Sequence, residues 1–562
     1  MYEFLTAMKV GTTAVKLLFG PVSATAGTRM GTQIWYNPLV VVSASLAEQR
    51  AKRRWILVNE KRNKSVFVLT GLLAGLLMAG MDSTVVATAL PSIVGDLGGF
   101  DKFIWVTSAY LVMMMASTPI FGKLSDMYGR KRYFIFGLLS FLFGSMLCGT
   151  AGSMLQLIIY RAVQGIGGGA LMPIAFTIVV DIFPPEKRGK MMGLVGAVFG
   201  ISSIFGSLLG AFITEYVSWH WVFFVNLPIG MLSLLIIVFF YHESFELSQE
   251  KIDWWGAITL ALAVIALMLA LQLGGMEYDW GSPFIIGLFT VFVALLVVFL
   301  YIETRAADPI ISFSMFKDRL FTTSCVAALF IGAAYITAIT YIPIFVQGVF
   351  GGRATNAGLI LMPMMLSSVI GSQAGGFLTS KTSYRNIMII ASVFFVPGIF
   401  LLGTLDSATA RLIVTLYMAI IGFGAGFSFS VLSMAAMHNF DFQQRGSASS
   451  TNRFSITLGM TIGITVFGIV QRNIFTTILA SQFANVSKLP NTRSLLSPKV
   501  RNQMSEEVLD EAVDALSSSI AFTFIATLVP AVLGVFSILL MSNERIQPAE
   551  ENTSTVSDAG QR

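Results

Sequence analysis

The chain has 562 residues, 55% of them apolar and 12% charged, with a mean hydropathy of +0.77, the composition of a polytopic membrane protein. The formal net charge of +6 sits in short loops between apolar runs, so it does not point to nucleic acid, and three scattered histidines give no metal site. Cys148 and Cys325 each lie inside an uncharged run and read as small apolar residues.

Residues 1–64 contain no cleavable signal peptide and no clear span: Gln33, Asn37 and Pro38 interrupt the uncharged stretch from Met30 to Ala47. They are expected to form a poorly ordered cytoplasmic tail ending in the basic cluster Lys52, Arg53, Arg54, Lys61, Arg62 and Lys64. Uncharged runs near the ~20 residues that a helical span needs then follow at 65–90, 103–121, 133–151, 154–180, 191–214 and 221–241. Two more lie at 254–276 and 280–302, and six further ones at 321–349, 354–377, 386–404, 411–434, 454–471 and 516–541. The prediction is an all-α protein with fourteen transmembrane helices: a six-helix half at 65–241, two extra helices with linkers in 242–320, a second six-helix half at 321–541 that includes an outer segment at 473–515, and a tail at 542–562.

Loop charge sets the orientation. The 122–132 loop, Lys187/Arg188/Lys190, Arg305/Lys317/Arg319, Lys381/Arg385 and Arg445/Arg453 fall on one side, which is read as cytoplasmic together with both termini. An internal repeat supports the count. Gly122-x-Leu124, Gly165-x-Gly167-x-Gly169 and Arg188-Gly189 recur as Gly376-x-Leu378, Gly422-x-Gly424-x-Gly426 and Arg445-Gly446, and the last interval is 23 residues in both halves.

Only two of the fourteen runs hold a charge well inside them. Asp82 lies nine residues before Pro91, roughly 13 Å from that end at about 1.5 Å per residue. Arg161 lies seven residues after Met154, roughly 10 Å in from the same end. Ionised groups at such depth face a partner or a water-filled path. Two readings follow: a packing ion pair, or a proton or substrate site. The segment Gly122 to Arg132, GKLSDMYGRKR, packs five charges between two spans as a tight turn. In the fifth span Gly189, Gly193, Gly196, Gly200, Ser203, Ser207 and Gly210 recur every three or four residues, and Gly206 lies beside them, a pattern that close helix approach explains. Trp105, Tyr110 and Met113 to Met115 in the second span, with Tyr335, Tyr341, Phe345 and Gln347 in the ninth, offer an aromatic and thioether lining for a ligand, or plain packing. No G-x-x-x-x-G-K-[ST] is present, so an ATP-driven pump is not expected.

The loop pattern of Gly122, Leu124, Asp126, Gly129, Arg130, Lys131 and Arg132 resembles the signature between helices two and three of the major facilitator superfamily. Met81-Asp82-Ser83-Thr84 to Ala89-Leu90-Pro91 is similar to the first-helix signature of its fourteen-span drug:proton antiporters, and Arg161 to Gly169 to their fourth-helix signature. Trp219-His220-Trp221 to Asn226-Leu227-Pro228-Ile229-Gly230 and Asp253-Trp254-Trp255-Gly256 extend the likeness to about residues 65–545. The fifth span departs from the usual antiporter pattern, with Ser202 and Ser207 where a glycine and a proline are usual.

The resemblance implies a facilitator fold and a multidrug-type exporter of drugs or amphipathic or cationic compounds working by alternating access. It implies proton coupling through Asp82 and Arg161 and a gating loop of Gly122, Asp126, Gly129 and Arg130 whose aspartate sits at a helix N-terminus and pairs with an arginine across the cytoplasmic gate; the small-residue spacing itself gives helix packing through Gly193, Gly196, Gly200, Gly206 and Gly210. Substrate contacts are expected from Trp105, Tyr110, Met113, Gln164, Tyr341 and Gln347. The proton motive force takes the place of a cofactor, the partners are a small-molecule substrate, protons and membrane lipids, and the setting is a plasma (inner) membrane. A monomer and an oligomer are both compatible. Two competing readings are a same-fold transporter of one natural substrate, such as a lipid precursor, siderophore or metabolite, and a non-transporting sensor or assembly subunit.

Overall fold

A computed structural model of the chain describes residues 38–98, 102, 104–243, 253–275, 277–306, 308–351, 354–482 and 506–545. Contacts divide it into Met1–Arg62 and Asn63–Arg562, and the architecture below is that of the second unit. Fourteen helices among the described residues are long and apolar enough to cross a membrane. The first, α1, is Pro38–Leu97, with Lys64–Leu90 as its apolar crossing segment. It is followed by α2 (Ile104–Tyr128), α3 (Arg130–Gly149), α4 (Met154–Ile182) and α5 (Pro185–Tyr216). The span α6 (Trp221–Phe240) consists of Trp221–Phe224 and Asn226–Phe240. Then come α7 (Trp254–Leu273), α8 (Pro283–Glu303), α9 (Arg319–Gly348), α10 (Ala354–Leu378), α11 (Tyr384–Leu402), α12 (Arg411–Met437), α13 (Arg445–Gln482) and α14 (Glu506–Leu539).

The count of fourteen agrees with the sequence, but several helices outrun their apolar runs: α2 extends to Tyr128 and α3 begins at Arg130, so the 122–132 segment is helical except at Gly129, and α13 already begins at Arg445. Backbone helix begins at Pro38, within the stretch read as an irregular tail; Ala, Leu, Glu, Gln, Lys and Arg dominate 44–64 and are strong helix formers. Residues 1–37 lie outside the described residues. Likewise α13 continues to Gln482 and α14 starts at Glu506, so helix extends from both sides into the 473–515 segment, of which 483–505 lies outside the described residues.

Several helices start at the membrane boundary on caps that satisfy their free N–H groups. Ser153 accepts from Gln156 N, Asp253 from Gly256 N at 2.8 Å and Asp318 from Phe321 N at 2.7 Å. The inserted helix α7 packs against α2, and it reaches the second half where Thr465 on α13 donates to the Leu271 carbonyl. The helix α7 therefore straddles the seam between the halves, with α8 packed on its side. Most of the α8 window is exposed, as suits a helix facing lipid.

Two seams join the halves, α5 against α10 and α2 against α13. They are copies of one another under the internal repeat, and both are closest at the basic end. A Cβ at Gly189 would overlap the carbonyl oxygen of Gly376, and one at Gly122 would overlap the side chain of Ser450. Along α5 the small-residue face changes partner. Gly193, Gly196 and Gly200 lie against Ser372, Val369 and Met365 of α10, whereas Gly206 and Gly210 lie against Met81, Thr84, Val85 and Thr88 of α1. Its basic-end half thus closes the molecule across the seam, and its far half builds its own bundle. Gly189→Val is expected to hold α5 and α10 apart. Cysteine pairs across the seam should then lose most of their cross-linking while those between Gly206 and α1 keep theirs, and equal cross-linking at both places would contradict the division.

Candidate functional site

Asp82 on α1 and Arg161 on α4 meet, with Arg161 Nη1 2.6 Å from Asp82 Oδ2 and both side chains fully buried. Each takes further partners. Gln164, one turn after Arg161, accepts from Arg161 Nη1 at 2.6 Å and donates to Asp82 Oδ1 at 2.8 Å. Asn226 of α6 donates to Asp82 Oδ1 at 3.0 Å and also lies 3.0 Å from Ser145 Oγ of α3, which itself donates to the Phe223 carbonyl. Arg161 Nε donates to the Val106 carbonyl at 3.1 Å, and the Tyr110 ring covers the guanidinium at 4.3 Å. Arg161 Nη2 has no hydrogen-bond partner. Three donors converging on one carboxylate offset the cost of taking the ions out of water. The network ties five helices, α1, α2, α3, α4 and α6, of one half.

Sequence reasoning placed Asp82 and Arg161 at one depth, and the structure brings them together. It missed Asn226 and Ser145. The available signal was Asn226 itself, a buried amide at the head of an otherwise apolar segment.

The second cluster lies at the basic end. Gly129, at φ +101°, makes the tight turn from α2 to α3, a conformation that disfavours residues with a Cβ. The turn aims Asp126 at the N-terminus of α13, where it accepts from Gly446 N at 2.8 Å, Ser447 N at 2.7 Å and Ser447 Oγ at 3.0 Å. A carboxylate there answers both the free N–H groups and the helix dipole. The expected helix N-terminus is therefore present and belongs to the other half. The arginine that Asp126 meets is Arg130 of its own loop, at 3.2 Å, and not one across the seam. Arg130 also pairs with Asp181, reaches the Phe442 carbonyl and stacks on the Phe442 ring at 3.8 Å, while Arg445 pairs with Asp181 at 2.8 Å. Two acids of one half and the start of α13 are so joined through two arginines. In the repeated seam Ser380 stands nearest the position of Asp126 and donates to the Phe377 carbonyl, so the latch exists on one seam only.

A cavity of about 140 Å³ lies between the halves, lined by Phe176 (α4), Phe199 (α5), Tyr335 (α9), Met365 (α10), Phe429 (α12) and Met460 (α13) among others. The hydroxyls of Ser203, Ser368 and Ser372 also line it, and each donates to a backbone carbonyl of Phe199, Met365 or Gly193. Arg453 lines it as well. This corrects the sequence reading, which counted Arg453 among the loop charges and found only two spans with a charge well inside. It lies eight residues into α13, about 12 Å at 1.5 Å per residue. The intervening Ser447, Ser449, Ser450, Thr451 and Asn452 are polar, so the apolar run starts only after them, yet all five are buried. They are small residues in a close helix contact, as when Ser449 donates to the Pro173 carbonyl at 3.1 Å.

The residues expected to touch substrate sit elsewhere. Tyr110 covers Arg161, and Gln164 belongs to the ion-pair network. Trp105, Met113 and Gln347 are half-buried and Tyr341 is buried, and none of the four lines this cavity; Tyr335 does. A larger hollow of about 860 Å³ opens at the basic end, where Arg188, Lys381, His438 and Arg545 stand beside Val180, Met434 and Met437. At 140 Å³ the central cavity is smaller than the several hundred Å³ typical of drug-sized sites, so a larger molecule needs α5 and α10 to part.

Residues 72–464 match the model of the Major Facilitator Superfamily. The chain is 51% identical over 502 residues to multidrug resistance protein 3 of Bacillus subtilis, covering 88% of this chain and 98% of that one. It is 38% identical over 410 residues to the multidrug transporter protein MdtP of the same organism, covering 73% of this chain and 76% of that one. Among solved structures, the proton:xylose symporter XylE superposes with a TM-score of 0.57 at 14% identity, over 86% of this chain and 98% of the symporter. That likeness concerns the fold alone.

Proposed function

The chain belongs to the major facilitator superfamily, and from that membership we propose that it is an exporter of drugs or other amphipathic compounds, driven by protons. It is a multi-pass membrane transporter and not an enzyme. The multidrug names of its two Bacillus relatives support the substrate class. The observation that carries proton coupling is the Asp82–Arg161 pair, a carboxylate held at membrane depth by Arg161, Gln164 and Asn226. In this reading the basic end is cytoplasmic, both termini lie inside, and the membrane is the plasma membrane. Asp82 takes a proton from outside and releases it inside, while Arg161 tunes its hold on the proton and excludes stray cations. The halves rock about the central cavity, and the Asp126 latch closes the cytoplasmic end while the outer end is served.

The test uses the full chain in liposomes with an imposed pH gradient and a panel of aromatic amphiphiles of differing charge, ethidium among them, as transported probes. Accumulation should follow the gradient, collapse with a protonophore, and be accompanied by proton movement in the opposite direction. Transport unaffected by the protonophore would refute proton coupling. Absence of transport for ethidium and for a panel of neutral and anionic amphiphiles would refute the exporter reading itself.

A further inference from the structure

We propose that Arg453 selects substrates by charge, binding the carboxylate or other anionic group of an aromatic amphiphile in the central cavity. The inference rests on the export reading and deepens it by naming the chemistry of the site. Arg453 lies where helices of both halves converge, and among the described residues no carboxylate pairs with it. The deep acids are committed elsewhere: Asp82 to Arg161, Asp126 and Asp181 to the latch. Its Nε is buried without an acceptor. The nearby hydroxyls of Ser203, Ser368 and Ser372 spend their protons on backbone carbonyls, and the guanidinium stands 5.5 Å from the Phe199 ring. An uncompensated cation at this depth is costly. Its planar fork of donors matches a carboxylate, and Phe176, Phe199, Tyr335 and Phe429 offer faces and edges to an aromatic body. The position also suits a site that changes during transport, because α5 of one half and α10 and α13 of the other belong to surfaces that must separate.

The experiment measures binding first and transport second, with purified full-length protein. The probes are 2-naphthoate, 2-naphthamide and 2-naphthylmethylammonium, which share a ring system and differ in charge. The parent should bind the carboxylate at least about tenfold more tightly than the ammonium, the scale of one charge-assisted contact. Arg453→Gln should weaken the carboxylate about tenfold, leave the amide within about twofold and bring the ammonium level with it, whereas Arg453→Lys should keep the order with a smaller ratio. The melting temperature of Arg453→Gln should equal or exceed that of the parent, since no partner is orphaned; a lower one with all three probes weakened alike would overturn the proposal in favour of a packing role. A parent that binds the ammonium as tightly as the carboxylate overturns it as well. Binding without a gradient reads this site even if no probe is exported, so a failure of the export reading is seen separately.

Discussion

Asp82→Asn is expected to abolish gradient-driven efflux and to cost stability as well. From sequence alone the neutral amide reads as cheaper to bury than an acid, which predicts nearly normal folding. The geometry gives the opposite expectation. Arg161 is fully buried, and Asp82 is its charge partner; removing one member of such a pair leaves an uncompensated ion and costs about 3–5 kcal/mol. The amide also brings an N–H₂ group against the Nη1 of Arg161 or the side-chain amides of Gln164 and Asn226, which already donate. The double variant Asp82→Asn/Arg161→Met should recover most of the lost melting temperature and none of the proton-coupled transport. Arg161→Ala should leave the acid with Gln164 and Asn226 alone. The pH profile of the remaining efflux should then differ from that of the parent. Arg161→Lys should be milder, since it keeps the charge while losing the contacts that Nη1 and Nε make at once. A pH profile of Arg161→Ala that superimposes on the parent in liposomes would defeat the coupling role and leave a packing pair.

Asp126→Ala is expected to stop transport by a different route, with folding preserved. It deletes three hydrogen bonds to the N-terminus of α13 and the contact with Arg130. Hydrogen bonds to a charged group contribute about 1.5–3 kcal/mol each at most, and the basic-end closure has few other polar contacts across the α2–α13 seam. A loss of even ~3 kcal/mol changes the ratio of closed to open forms more than a hundredfold. Labelling of a cysteine placed at Ser447 by a membrane-impermeant maleimide from the basic side should rise accordingly. Asp126→Asn should be intermediate, since its amide oxygen still accepts from Gly446 or Ser447 while the charge opposite the helix dipole is gone. Unchanged labelling together with lost transport would show that Asp126 acts on something other than this closure.

Much of the protein is determined by local pattern. Fourteen spans follow from runs whose length matches a bilayer, because a helix of that length satisfies its own backbone in hydrocarbon. The two seams could be anticipated from the repeat, since copies of one unit present the same Gly122/Gly446 and Gly376/Gly189 faces to each other. Asp82 and Arg161 stood out because a charge inside an apolar run is conspicuous.

What the tertiary structure decided has a common cause: a helix shows its neighbours only after it is packed. Whether Gly200 and Gly206 face the same helix depends on where α10 ends its contact and α1 begins, and no spacing along α5 records that. Asn226 became part of the Asp82 site because α6 lies against α3 and α1, far away in sequence. Arg453 was hidden by its own surroundings: Ser447 to Asn452 look like loop by hydropathy, yet small side chains let helices approach until their hydroxyls reach backbone carbonyls and are buried. Composition along the chain therefore determined which segments enter the membrane, and the close contacts between those segments decided which charges line the path through it.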